Sequence, residues 1–137
     1  MSETRGTFEH GADFGVFGRG PDPASAFREA AHAMFALMTD PDAVQPLQAI
    51  AFEFEEADLE IALVRYLNGL LSHAADRKLA LGRFALERSG AHWKAAAQGE
   101  PWREGLERGT GVKGATLTML SVTKDGGTWD ARCVVDV

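Results

Sequence analysis

A histidine and a carboxylate stand close together near the start of the chain, in His10-Gly11-Ala12-Asp13-Phe14-Gly15. The small residues between and after them let the backbone turn tightly and let another group approach it closely. The chain closes on a second polar device, Asp136 followed by Val137 and its terminal carboxylate. Asp13, Asp136 and the Val137 carboxylate are oxygen donors of the kind that calcium or magnesium takes. Brought together without a cation, their charges repel, or they await a basic partner. The residue types leave a plainer alternative open. His10 with Asp13 can be a local turn cap, and Asp136 can simply solubilise a strand end. The choice depends on whether the two ends of the chain meet.

Other chemistry finds little support. No Gly-x-Ser-x-Gly elbow occurs, and Cys133 sits in an apolar stretch rather than an electropositive pocket, so it reads as a small buried hydrophobe. Gly109-Thr110-Gly111-Val112-Lys113-Gly114 is glycine-rich but leads into strand-like sequence, whereas a phosphate cradle uses a helix N-terminus. The histidines His10, His32, His73 and His92 have no ligand spacing. Phe27, Met34 and Met38 read as core, and the acidic run Glu53 to Glu60 as a solvated face. Trp102, beside Arg103 and Glu104, has two readings of equal weight: a partner hot spot, or a ring folded back on the sheet.

Composition narrows the class. A chain of 137 residues, 45% hydrophobic and 25% charged, suits one domain spanning 1–137 with a real core. Its net charge of -6 argues against direct binding to DNA or RNA, because nonspecific affinity comes from Lys and Arg neutralising phosphates. A single cysteine fits a reducing, cytoplasmic setting. No signal peptide is expected at Met1 to Arg5, and no membrane span in the stretch Leu59 to Leu71, which Glu60, Arg65 and Asn68 interrupt.

The elements that must position these groups follow from local signals. Residues 1–5 read as a frayed tail, and short strands flank the His10–Asp13 stretch. Asp22-Pro23 opens a helix to about Met38. Ile50, Phe52 and Phe54 alternate with polar or small residues as a strand, and Asp58 caps a second helix ending near His73–Asp76. The rest reads as four strands: Leu79–Arg88 with a bulge near Gly82-Arg83, His92–Gln98 broken by Gly99-Glu100-Pro101, Gly114–Thr123, and Thr128–Val137 after an Asp125-Gly126-Gly127 turn. Trp102 to Gly111 reads as an exposed, mobile loop. The order ββαβα followed by four strands predicts a two-layer α+β fold, with two helices packed on a largely antiparallel sheet.

The chain resembles the archease family, small proteins that activate an RNA ligase of tRNA splicing and RNA repair. The family's opening pattern stands here as Glu9-His10-Gly11-Ala12-Asp13-Phe14-Gly15, with a glycine following at Gly18 or Gly20. Ala26-Phe27 through Met34-Phe35, Asp58-Leu59 through Asn68, Gly99-Glu100, Val112-Lys113-Gly114-Ala115-Thr116 and Val134-Val135-Asp136-Val137 match further family segments in order. The chain departs from the pattern at Leu117-Thr118, where many members have Tyr-His.

The resemblance implies a protein without catalytic activity of its own. It would assist a GTP- and metal-dependent ligase that joins 2′,3′-cyclic-phosphate or 3′-phosphate RNA ends to 5′-hydroxyl ends, promoting ligase guanylylation and multiple turnover. RNA would be met only through the ligase. The resemblance also implies a divalent metal, calcium first, with magnesium or manganese as alternatives, held by Asp13, Asp136 and Val137. His10, Lys113, Thr116 and Trp102 would be supporting or partner-contacting residues. Two other functions compete: a chaperone or adaptor for RNA-modifying enzymes that works through Trp102, Arg103 and the following loop, and a metal-dependent phosphoester hydrolase using Asp13 and Asp136.

Overall fold

The computed structural model describes residues 3–137. Among them are eight strands and two α-helices: β1 (Arg5–His10), β2 (Asp13–Gly20), α1 (Pro23–Ala36), β3 (Gln48–Glu55), α2 (Leu59–Arg77), β4 (Leu79–Ser89), β5 (His92–Pro101), β6 (Gly114–Ala115), β7 (Ser121–Asp125) and β8 (Thr128–Asp136). A 3-10 turn, Pro41–Ala43, links α1 to β3. No helix among the described residues is long and apolar enough to cross a membrane.

The helix ends form where the sequence places their caps. Asp22 accepts from the Ser25 N–H at 2.8 Å, with Pro23 at the first helical position. Asp58 accepts from the N–H groups of Glu60 and Ile61 at 2.9 and 3.1 Å. Helix α1 closes at Ala36, two residues before Met38, as the Leu37 N–H turns back to the Met34 carbonyl. Helix α2 ends on Lys78, which takes the left-handed conformation at φ 57° and donates to the Ala74 and Ala75 carbonyls.

The fold is α+β, and all strand pairs are antiparallel, but the strands divide into two sheets. One runs β1-β2-β8-β6, with β7 also on β8; the other runs β3-β5-β4. Strands β6 and β7 lie in tandem along the same edge of β8. The core gathers between the sheets and helices. Phe27 of α1 stacks on Trp93 of β5 with ring centroids 5.1 Å apart, and Tyr66 of α2 lies 6.5 Å from Phe27 on the other side. Cys133 is fully buried, and burial pushes its thiol up to about 12, so it is packing and not a nucleophile.

Four expectations need correction. The strand expected over Gly114–Thr123 is two strands, making five after α2. Thr116 Oγ1 accepts from the Thr118 N–H at 3.1 Å, a local turn that interrupts the regular ladder: the Thr116 N–H and the Thr118 carbonyl both bond to Val134, and Leu117 bulges outward. Strand β5 does not break at Gly99 but continues to Pro101, a strand-terminal place where a missing N–H is tolerated. Its Gly99 is required for close approach, because a Cβ there would lie 1.8 Å from the Ala80 carbonyl oxygen.

The segment after β5 is not a free loop. Leu106 is buried with Val44 and Ala80, and the N–H groups of Gly109 and Thr110 each donate at 2.7 Å, to the Met38 and Leu37 carbonyls respectively. Arg103 donates to the buried Glu100 at 2.7 Å; with the Gln45 N–H, it holds that carboxyl below the usual carboxylate range. The expected tail is also structured from Arg5 onward, where Arg5 pairs with Glu29 at 2.9 Å. Met1 and Ser2 lie outside the described residues.

Candidate functional site

The first sheet places the opening motif. Strands β1 and β2 form a tight hairpin in which His10 pairs with Asp13 across the two-residue turn Gly11-Ala12. Gly11 has φ +60°, the left-handed conformation that such turns need and glycine takes without steric cost. Strand β2 then pairs with β8 in a register that sets Phe14 opposite Val135. Asp13 and Asp136 each lie one residue beyond that pair, so the two carboxylates stand on adjacent strands at one end of the sheet. The Val137 N–H donates to Asp13 Oδ1 at 3.3 Å. The two ends of the motif set therefore meet.

The other edge of β8 brings in the third segment. Gly114 pairs with Asp136, and the Lys113 N–H donates to the Asp136 carbonyl at 2.8 Å. Thr116 Oγ1 and the Thr116 N–H both donate to the Val134 carbonyl, at 2.8 and 3.0 Å. Asn68 of α2 clips β6 from outside the sheet. Its Nδ2 donates to the Ala115 carbonyl at 3.2 Å, and its Oδ1 accepts from the Ala115 N–H at 2.8 Å. One side-chain amide thus supplies the hydrogen bonds of a missing neighbouring strand. Sequence reading noted Asn68 as a polar break in an apolar helix and as the end of a segment matching the family, and gave it no role at the site; the break was the available signal.

Asp13, Asp136, Val137, His10, Lys113 and Thr116 therefore share one end of the first sheet. Trp102 does not join them. Its ring is half-buried against the Val44, Ala80 and Leu106 cluster, with the Arg108 guanidinium 4.2 Å from its centroid. Leu117, in the position of the family's departure, projects outward at 66% exposure.

Asp13 is half-buried and Asp136 exposed, and neither has an Arg or Lys within salt-bridge distance among the described residues. The hydrogen bond that Asp13 Oδ1 accepts comes from the Val137 N–H, not from His10. Among the described residues no three His, Cys, Asp or Glu side chains cluster so as to hold a metal. An ion here would therefore rest on two side-chain carboxylates, the terminal carboxylate and ligands from elsewhere. All of the ligands from this chain would be oxygen, the donor chemistry of a hard divalent cation.

These features define a small α+β protein with two antiparallel sheets, whose second and last strands bring carboxylates together at one sheet end. Residues 6–137 match the model of the Archease protein family, and the chain belongs to that family. Protein archease of Sulfolobus acidocaldarius is 32% identical over 133 residues, covering 95% of this chain and 96% of that one. Protein archease of Thermococcus gammatolerans is 35% identical over 136 residues, with the same coverage of 95% and 96%. The solution structure of Methanobacterium thermoautotrophicum protein 1598 superposes with a TM-score of 0.81 at 28% identity, over 98% of this chain and 99% of that one. The crystal structure of a Thermotoga maritima archease, described as a possible chaperone, has a TM-score of 0.69 at 19% identity, over 95% and 94% of the chains, a likeness of fold alone.

Proposed function

We propose that this protein is a non-catalytic activator of a GTP- and metal-dependent RNA ligase, and that the carboxylate end of the first sheet is its working part. The observation that carries the proposal is the contact of Val137 with Asp13, which gathers Asp13, Asp136 and the terminal carboxylate into one acidic tip without an ion-pair partner among the described residues. Such a tip suits a basic or metal-bearing pocket on a partner. Asp13, Asp136 and the Val137 carboxylate would hold a divalent cation, calcium, magnesium or manganese. When bound, the ion would neutralise the tip and offer a positive charge to anionic groups in the ligase pocket. The chain's own residues position that tip: the hairpin presents Asp13, Asn68 and β6 brace Asp136, and Lys113, Thr116 and His10 flank it for partner contact.

The adaptor reading that works through Trp102 loses its main support, because the indole is folded onto the sheet and its loop is tied to α1. The hydrolase reading has carboxylates, but among the described residues no base–nucleophile pair accompanies them.

The decisive experiment is ligation of RNA with a 2′,3′-cyclic-phosphate end by the host's ligase, with ligase limiting. Product per ligase should rise with the wild-type chain and not with Asp13→Ala, while both give the same circular dichroism spectrum. Equal activation by the two proteins, or none by either, would sink the proposal.

A further inference from the structure

A second site lies away from the acidic tip. Between the C-terminal turns of α1 and α2, the start of β4 and the segment after β5 is a cavity of about 680 Å³. That is within the range of roughly 300–1,000 Å³ typical of small-molecule sites. Its walls are apolar, with Phe35, Met38, Leu71, Leu81 and Val112 prominent, and Trp102 at one side.

The polar groups are few and of one kind. Thr39 forms part of the wall but is only 6% exposed, and its hydroxyl is buried behind that wall without a hydrogen-bond partner among the described residues. Lys78 and Arg108 also line it, and neither forms an ion pair among the described residues. Arg108 lies over the Trp102 ring. No aspartate or glutamate lines this cavity, in a chain whose net charge is -6. A mostly apolar cavity whose charged side chains are two cations calls for a ligand with an apolar body and an anionic acceptor. The left-handed Lys78 and the backbone ties from Gly109 and Thr110 to α1 hold the surrounding segments in place without any ligand.

We propose that this cavity binds a small amphipathic carboxylate, its apolar body among Phe35, Met38, Leu71 and Trp102 and its carboxylate accepting from the donors Lys78 and Arg108. The site is independent of the tip and of the ligase reading.

The test titrates decanoate, with decanol as its uncharged counterpart, into the full chain, followed by two-dimensional NMR. Decanoate should saturate one site, shifting Phe35, Leu71 and the Trp102 indole and leaving Asp13 and Val137 unmoved. Lys78→Asn keeps a residue suited to the left-handed cap. It should weaken decanoate about tenfold, a loss on the scale of one charge-assisted hydrogen bond, and leave decanol unchanged. Ala75→Trp, on the exposed face of α2 that lines the cavity, should block both ligands.

The proposal is overturned by no saturable binding of decanoate at millimolar concentration, by binding that Ala75→Trp leaves intact, or by equal decanoate affinity in Lys78→Asn and wild type. Coverage of the cavity by a second copy of the chain, seen as a dimer that decanoate does not dissociate, also overturns it. Should Ala75→Trp fail to fold, the comparison of decanoate with decanol in Lys78→Asn decides alone.

Discussion

The Val137 N–H donates to Asp13 Oδ1 at 3.3 Å, joining residues 124 positions apart in the chain. The bond is long for N–H···O and partly exposed, so its contribution is at the low end of the usual range of about 0.5–1.5 kcal/mol. Charge and tie can be separated at this position. Asp13→Asn keeps an oxygen acceptor for Val137 but removes the carboxylate. Its melting temperature should match the wild type, and its activation of the ligase should fall as far as that of Asp13→Ala. Activation preserved in Asp13→Asn would mean that the tip works by shape and not by charge.

Asn68 is the brace behind the tip. Both of its amide groups are engaged with Ala115, and the side chain is half-buried. Asn68→Ala leaves the Ala115 N–H and carbonyl without their partner, a loss of about 1–3 kcal/mol. Urea denaturation at neutral pH should show that loss. Amide exchange should quicken selectively at Lys113 and Ala115, because β6 is held otherwise by only two paired positions on β8. Uniform quickening over the whole chain would instead show that Asn68 acts on global stability.

His92 makes the stability depend on pH. It lies on β5 next to β3, where its Nδ1 meets Glu55 and its Nε2 meets Glu53 at 2.6 Å. The hydrogen bonds to Glu55 first and Glu53 second raise the imidazole above its ordinary value of 6.5. A raised folded-state pKa gives stabilisation that is complete below the unfolded value and fades as pH rises through the folded one. The double variant Glu53→Gln with Glu55→Gln should therefore lose stability against the wild type at pH 6 and match it at pH 9. Proton NMR should find His92 titrating above 6.5 in the wild type and lower in the variant. A difference constant across that range would show that the carboxylates contribute by packing alone.

Local cues made much of the fold legible. Asp22-Pro23 and Asp58 mark both helix starts, Gly126-Gly127 the last turn, and the phase change at Gly82-Arg83 the bulge between Leu81 and Arg83. Each of these signals acts within a few residues. What escaped is set elsewhere in the chain. Two sheets arise because β2 finds its partner in β8 and β3 finds its partner in β5, and strand composition does not announce such pairings. Residues 114–123 look like one strand until the Thr116 hydroxyl turns back on Thr118. The site followed the same rule. The types of Asp13 and Asp136 announced oxygen chemistry, but their meeting depended on β2–β8 register, and the part played by Asn68 depended on where α2 lies over β6. Trp102 was ambiguous because part of its cover, Val44 and Ala80, lies in other segments.

Gly18 tests how closely that sheet and α1 are fitted. A Cβ at Gly18 would lie 2.1 Å from the Ala26 carbonyl oxygen and 2.2 Å from the Ala30 nitrogen, both backbone atoms of α1. Backbone cannot swing aside as a side chain can, so even one methyl group must push the helix off β2. The buried alanines Ala26 and Ala30 face the same contact, which leaves no larger side chain whose trimming would make room. Gly18→Ala should destabilise by about 1–3 kcal/mol, the usual cost of overpacking a closed core. Gly11→Ala, where nothing lies within 4 Å but φ is +60°, isolates the conformational part of such a change. Its cost should be about 1–2 kcal/mol, from the left-handed backbone alone. The two are told apart by amide shifts: Gly18→Ala should disturb α1 from Ala26 to Ala30, and Gly11→Ala only the hairpin around His10 and Asp13. A silent α1 in Gly18→Ala would show that the sheet yields instead of the helix. In that case the register that sets Phe14 opposite Val135 should shift, and ligase activation should fall with it.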